Sequence, residues 1–207
     1  MGGATGGSGA QRLYLVRHGQ SDKNALPKWR LMTAKQYDKY LRWQVEAPLT
    51  AKGAKQVKHT ARWIADVLPH PERIYADTSK RTRETAKLIA KILGVQFMPT
   101  SELREVHARG FARWLPPLPL RVFILLDRLA LFVPWPHEGT WYSGLGRARR
   151  VLRQVSASTP AHDEQSAIVV SHHLFIQLML LYARLSPGWR VIRRSTKTAG
   201  ASVVERR

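Results

Sequence analysis

The sequence predicts an α/β fold, a three-layer α/β/α sandwich around a largely parallel central sheet. Three observations lead there. Residues 12–16 (R-L-Y-L-V), 73–76 and 166–170 (S-A-I-V-V) are short apolar runs rich in strand formers. The stretches after the first two show helical spacing of apolar residues, and the two patterns alternate along the chain. Alternation of this kind implies a parallel sheet covered on both faces, which binds ligands at the carboxyl ends of its strands.

Each element has its own signal. Residues 1–10 form a Gly-rich leader with neither a basic region nor an apolar run, so no secretory signal is expected there, only a flexible tail before one domain over residues 11–207. Gly6 breaks the myristoylation pattern. The 12–16 strand stops abruptly at Arg17-His18-Gly19-Gln20-Ser21 and so delivers a polar loop. From 50 to 68, Ala54, Val57, Ala61, Ile64 and Leu68 fall at steps of three and four beside Lys55, Lys58 and Arg62, the pattern of an amphipathic helix. A second strand over 73–76 leads into a helix marked by Thr82, Ala86, Ile89 and Leu93, which Gly94 caps. Residues 95–98 are expected as a third strand. The run 166–170 suits a strand buried on both faces, and 174–185 a buried helix. Between 118 and 135, Pro-rich flanks enclose an apolar stretch broken by Asp127 and Arg128, too short and too charged to span a bilayer. A helix roofing the mouth of the site is expected there, with an amphipathic membrane or partner contact as the alternative.

Composition excludes several chemistries. The 207-residue chain has 44% hydrophobic residues and no cysteine, so disulfides, thiolate zinc sites and thiol catalysis are ruled out. Absence of cysteine fits a reducing compartment, and a cytoplasmic location is expected. A formal net charge of +20 attracts phosphates, nucleic acids and anionic membrane surfaces alike. Because it is spread along the chain and no nucleic-acid motif accompanies it, a solvated basic surface is the expected reading.

The polar clusters follow strands. His18 follows the first strand, His172 follows the 166–170 strand, and Arg81 lies early in the helix after the second, so all three are expected at one sheet edge. R-H-G-Q-S-D-K-N (17–24) resembles the opening motif of the histidine phosphatase superfamily, the phosphoglycerate-mutase-like family. P-L-T-A-K-G-A-K-Q (48–56), Y-A-D-T-S-K-R-T-R-E-T-A (75–86), L-R-E (103–105) and V-V-S-H (169–172) resemble its later motifs in order. The resemblance implies a phosphoglycerate-mutase-like fold and a phosphatase site of Arg17, His18, Arg81, Glu105 and His172.

Those residue types suit the chemistry. A neutral imidazole is nucleophilic near pH 7, so His18 can attack phosphorus and become a phosphohistidine. Guanidinium forks on Arg17 and Arg81 match phosphoryl oxygens and substitute for a metal ion, so no cofactor or metal is expected. His172 is expected to donate to the phosphoryl oxygens, with Gln20, Asn24 and His173 as further phosphate or leaving-group contacts. Glu105 is the candidate proton donor, with Glu102 and Asp77 as alternatives. Gly53 and Gln56 are expected to support a turn.

Three features depart from the family pattern. His173-Leu174 stands where Gly usually follows the second histidine, Asp77 stands where Ser is usual, and Gly110 comes one residue late after Glu105. The expected activity is hydrolysis of a small phosphomonoester. A phosphoglycerate mutase and a non-catalytic binder of phosphorylated or anionic partners are the alternatives.

Overall fold

The computed structural model describes residues 11–22, 26–68, 71–108, 111–133, 140–157, 166–195 and 197–206. The expected 1–10 tail, Asn24 and Gly110 lie outside them. In chain order the elements are β1 (Arg12–Arg17), β2 (Leu31–Met32), α1 (Ala34–Trp43), α2 (Ala51–Val67), β3 (Arg73–Ala76), α3 (Lys80–Leu93) and β4 (Phe97–Pro99). There follow β5 (Leu118–Pro119), α4 (Leu120–Ala130), α5 (Trp141–Ala157), β6 (Ser166–Ser171), α6 (His173–Leu185), β7 (Trp189–Arg193) and β8 (Ala201–Arg206). Short 3₁₀ turns occupy Ser101–Leu103 and Phe111–Trp114.

The main sheet runs β4-β3-β6-β1-β8-β7. Its first four strands are parallel, and β8 and β7 add an antiparallel edge. Every residue of β6, at the centre, is buried, as its unbroken apolar run requires. Alternation along β1 splits the core. Leu13 and Leu15 join α5 and α6 on one face, while Tyr14 and Val16 join α2 and α3 on the other. A third, smaller core of Met32, Tyr37, Tyr40, Leu41, Leu120 and Phe123 binds α1 and α4 together.

Local chemistry explains the boundaries. Thr50 caps α2 by accepting from Gly53 N, and Thr33 and Gln36 form a reciprocal capping box on α1. Gly94 ends α3 at φ 68°, a left-handed conformation that costs glycine little. The Val95 N–H then bonds back to the Ala90 carbonyl at 3.2 Å, so Val95 belongs to the helix stop and the strand begins at Phe97 rather than 95. Helices α1 and α5 and the β7–β8 hairpin were not anticipated from sequence. Two of the five residues of β7 are arginines, and only Trp189 is buried, so its apolar signal is weak.

Candidate active site

Parallel register brings the site together. Arg17 of β1 stands opposite Ser171 of β6, and His18 N donates to the Ser171 carbonyl at 3.0 Å. His18 and His172 therefore leave neighbouring strands at the same level, with ring centroids 5.2 Å apart. On the other side of β6, Asp77 N donates to the Val170 carbonyl at 3.2 Å, which sets the Asp77 carboxylate against His172. The turn before β8 fixes the β1 end, through Arg17 N to the Gly200 carbonyl at 3.0 Å and Ala199 N to the His18 carbonyl at 3.1 Å.

Arg81, in the first turn of α3 and 2% exposed, joins these groups. Its Nε donates to His18 Nε2 at 3.2 Å and its Nη2 to His172 Nδ1 at 3.0 Å, while Nη1 reaches the Gln44 carbonyl. The hydrogen-bond network assigns both tautomers. His18 Nδ1–H donates to the Gly19 carbonyl at 2.7 Å, which leaves the Nε2 lone pair facing Arg81. His172 Nε2–H donates to Asp77 Oδ2 at 2.7 Å, and its Nδ1 accepts from Arg81.

A cavity of about 290 Å³ opens over this cluster. Arg17, His18, Arg81, Glu105 and His173 line it; His172 is buried behind them. Glu105 Oε1 accepts from Val106 N at 3.3 Å and Phe175 N at 3.1 Å, capping the first turn of α6, which lacks a cap from its own His172 side chain. Glu105 Oε2 lies 3.9 Å from Arg128 Nη2. Gln20 is instead tied to the α2 cap. Its Oε1 accepts from Thr50 Oγ1 at 3.0 Å and its N donates to Gln56 Oε1 at 3.1 Å. Gly19 and Gly53 let these loops touch, since a Cβ on Gly19 would come within 2.7 Å of the Gly53 carbonyl and one on Gly53 would overlap that of Gln20. Glu102 is not among the residues lining the cavity and pairs with Arg150 at 3.6 Å.

The helix expected to roof the mouth of the site stands there as α4, through Ile124, Asp127 and Arg128, but the individual residues of this wall were not singled out from sequence. Lys28, Tyr37, Tyr40, His107, Asp127 and Arg128 also line the cavity. Asp127, 1% exposed, accepts from Ala108 N at 3.0 Å and His107 Nδ1 at 3.3 Å, and His107 Nε2 accepts from Gln44 Nε2 at 2.8 Å. The acid and arginine interrupting an apolar stretch were the available signal, because a charge inside a helical apolar pattern faces something polar.

Burial first, then the charges of Arg81 and His172, hold the His18 imidazole well below its ordinary 6.5, so it is neutral at pH 7. Burial and Arg81 lower His172 as well, against the opposing pull of Asp77. Burial and Arg17 lower His173. Burial pushes the Asp77 carboxyl up, but the hydrogen bond and charge of His172 and the Ser79 contacts outweigh it and hold it at about 2. The site thus pairs a neutral nucleophilic nitrogen with two guanidinium groups and a nearby carboxyl, an arrangement suited to phosphoryl transfer.

The fold and the ordered motifs have counterparts among known proteins. The chain is 34% identical over 98 residues to "Probable phosphoglycerate mutase GpmB" of Photorhabdus laumondii, a match covering 46% of this chain and 38% of that protein. It thus spans well under half the length of the curated relatives it matches. Among solved structures, a mycobacterial glucosyl-3-phosphoglycerate phosphatase complexed with VO3 superposes with a TM-score of 0.63 at 22% identity, over 85% of this chain and 81% of that one. A phosphoglycerate mutase from Bacillus anthracis superposes with a TM-score of 0.65 at 18% identity, over 95% and 88%. The family model of the histidine phosphatase superfamily (branch 1) matches residues 13–207. With the phosphoglycerate-mutase-like fold and a matched span that holds every motif, the chain belongs to the histidine phosphatase superfamily, branch 1.

Proposed function

We propose that this protein is a metal-independent phosphomonoesterase that works through a phosphohistidine on His18, with Glu105 as proton donor. One observation carries the reading: the Nδ1–H bond to the Gly19 carbonyl leaves His18 Nε2 as a buried, neutral lone pair beside two guanidinium groups. Arg81 covers that lone pair at 3.2 Å. An incoming phosphate dianion offers the guanidinium stronger, charge-assisted bonds, which draws Arg81 off the nitrogen as Arg17 takes a second oxygen. The Nε2–P bond then forms as the P–O ester bond breaks, and Glu105 gives its proton to the departing alkoxide. As carboxylate, Glu105 takes a proton from water, which attacks phosphorus, breaks the N–P bond and releases inorganic phosphate. His172 donates to a phosphoryl oxygen only as imidazolium, a form that the Asp77 carboxylate at its Nε2 favours.

The test is hydrolysis of an aryl phosphate in the presence of EDTA, with trapping of an acid-labile phosphoenzyme. Turnover and trapped label are both expected to vanish in His18→Ala, and full activity in that variant refutes the reading.

A second reading is favoured by the name of the curated relatives and by one structural neighbour, both phosphoglycerate mutases. A mutase must keep water from the phosphohistidine while a bisphosphate reorients. Incubation with a monophosphoglycerate separates the two, since a mutase yields the isomer and a phosphatase yields phosphate.

A further inference from the structure

Helix α4 presents two faces of different character. Ile124, Asp127 and Arg128 line the cavity, while Leu125, Leu129 and Phe132 follow one another at helical spacing on the side turned away from the buried Leu120 and Phe123 and are each more than half exposed. The stripe continues at both ends. Arg121, one turn before Leu125, stacks on the Trp29 ring with its guanidinium carbon 3.0 Å from the ring centroid. Leu31 pairs in register with Pro119 just ahead of the helix. At the far end the Phe132 ring lies 5.9 Å from Trp141, whose own ring is 4.0 Å from that of Tyr142. Trp29, Leu31 and Tyr142 are also more than half exposed, so the apolar surface extends beyond the helix itself.

The charge around this stripe has one sign. Residues 26–33 and 111–133 carry Lys28, Arg30, Arg113, Arg121 and Arg128 against a single acid, Asp127, which is buried. A second copy of the chain would set like charges face to face, whereas an anionic lipid surface meets both features. Leucine and phenylalanine suit the acyl boundary, Trp29 and Tyr142 suit headgroup depth at the two ends, and the basic residues suit the lipid phosphates. No helix among the described residues is long and apolar enough to cross a membrane, so α4 would lie in the interface plane.

We propose that the outer face of α4 docks this protein on anionic lipid bilayers, with the cavity opening beside the membrane surface. The full chain is sedimented with vesicles of phosphatidylcholine alone and of phosphatidylcholine with about one third phosphatidylglycerol, at physiological salt. Binding to the anionic vesicles alone is expected. The double variant Leu129→Asp, Phe132→Ser is expected to lower partitioning by at least about tenfold while leaving hydrolysis of a soluble aryl phosphate unchanged. Quenching of wild-type tryptophan fluorescence by brominated lipid, reduced in Trp29→Phe, is expected to report the same contact. Three results overturn the proposal: no binding by wild type; equal binding by the double variant, which would mean adsorption by general charge; or a wild-type dimer in sedimentation velocity that the double variant dissociates, which would assign the face to self-association.

Discussion

Asp77→Asn removes one charge and almost no volume. The carboxamide oxygen can still accept from His172 Nε2–H at the position of Oδ2, 2.7 Å away, so the ring keeps its orientation and the substitution isolates the charge. The carboxyl is held at about 2 against an ordinary value of 3.8. A carboxyl with a depressed folded-state value stabilises the fold above its unfolded value, and that contribution is lost as pH falls through the folded value. Asp77 is 3% exposed, so solvent screening takes little from the effect. Linkage then gives a stability deficit in Asp77→Asn of roughly 2 kcal/mol at pH 7, which shrinks to about half of that at pH 3 and is nearly gone at pH 2. Urea unfolding of both proteins, followed by circular dichroism at pH 7 and at pH 3, measures the gap. The same substitution is expected to lower kcat by about tenfold or more, because the imidazolium form of His172 loses its counter-charge. A stability gap that is absent at pH 7, or unchanged between pH 7 and pH 3, refutes the account of Asp77 as a charged partner of His172.

Arg81→Lys keeps the positive charge but cannot serve His18, His172 and the Gln44 carbonyl together, so kcat/KM on an aryl phosphate is expected to fall by about 10²–10³; a loss under threefold would mean that charge alone matters. Because burial and Arg81 lower the His18 value, its ring is expected to stay neutral as pH falls from 7 through 6.5, with any protonation further toward acid. An NMR titration of the histidine ring protons checks this, and a His18 midpoint at or above 6.5 contradicts it. Gly53→Ala forces a Cβ into the Gln20 carbonyl, so a loss of about 1–3 kcal/mol in urea unfolding is expected, with the loop carrying His18 displaced. Wild-type stability in that variant would show that the Gly19–Gly53 approach is not tight.

Local pattern alone was enough for the sheet's parallel half and for the residues at its carboxyl edge. The strand over 12–16 and the fully buried run of β6 carry their burial in their own composition, and His18 and His172 follow them directly, so their convergence is legible without coordinates. The α1 side of the third, smaller core was not legible in this way. Helix α1 and the β2–β5 pair stand on contacts between residues far apart in the chain, such as Leu31 with Pro119, 88 positions later, and no local period announces which distant segment will cover a given face. Arg81 falls between the two cases. Its place early in the helix after the second strand puts it at the sheet edge with His18 and His172, but its bonds to both rings are set by the register of β3, β6 and β1, which brings Asp77, His172 and His18 to one level. Short-range propensity and apolar periodicity act over a few residues and are written in the chain; the partners of a buried charge are chosen by strand register and packing, which exist only once the chain has folded.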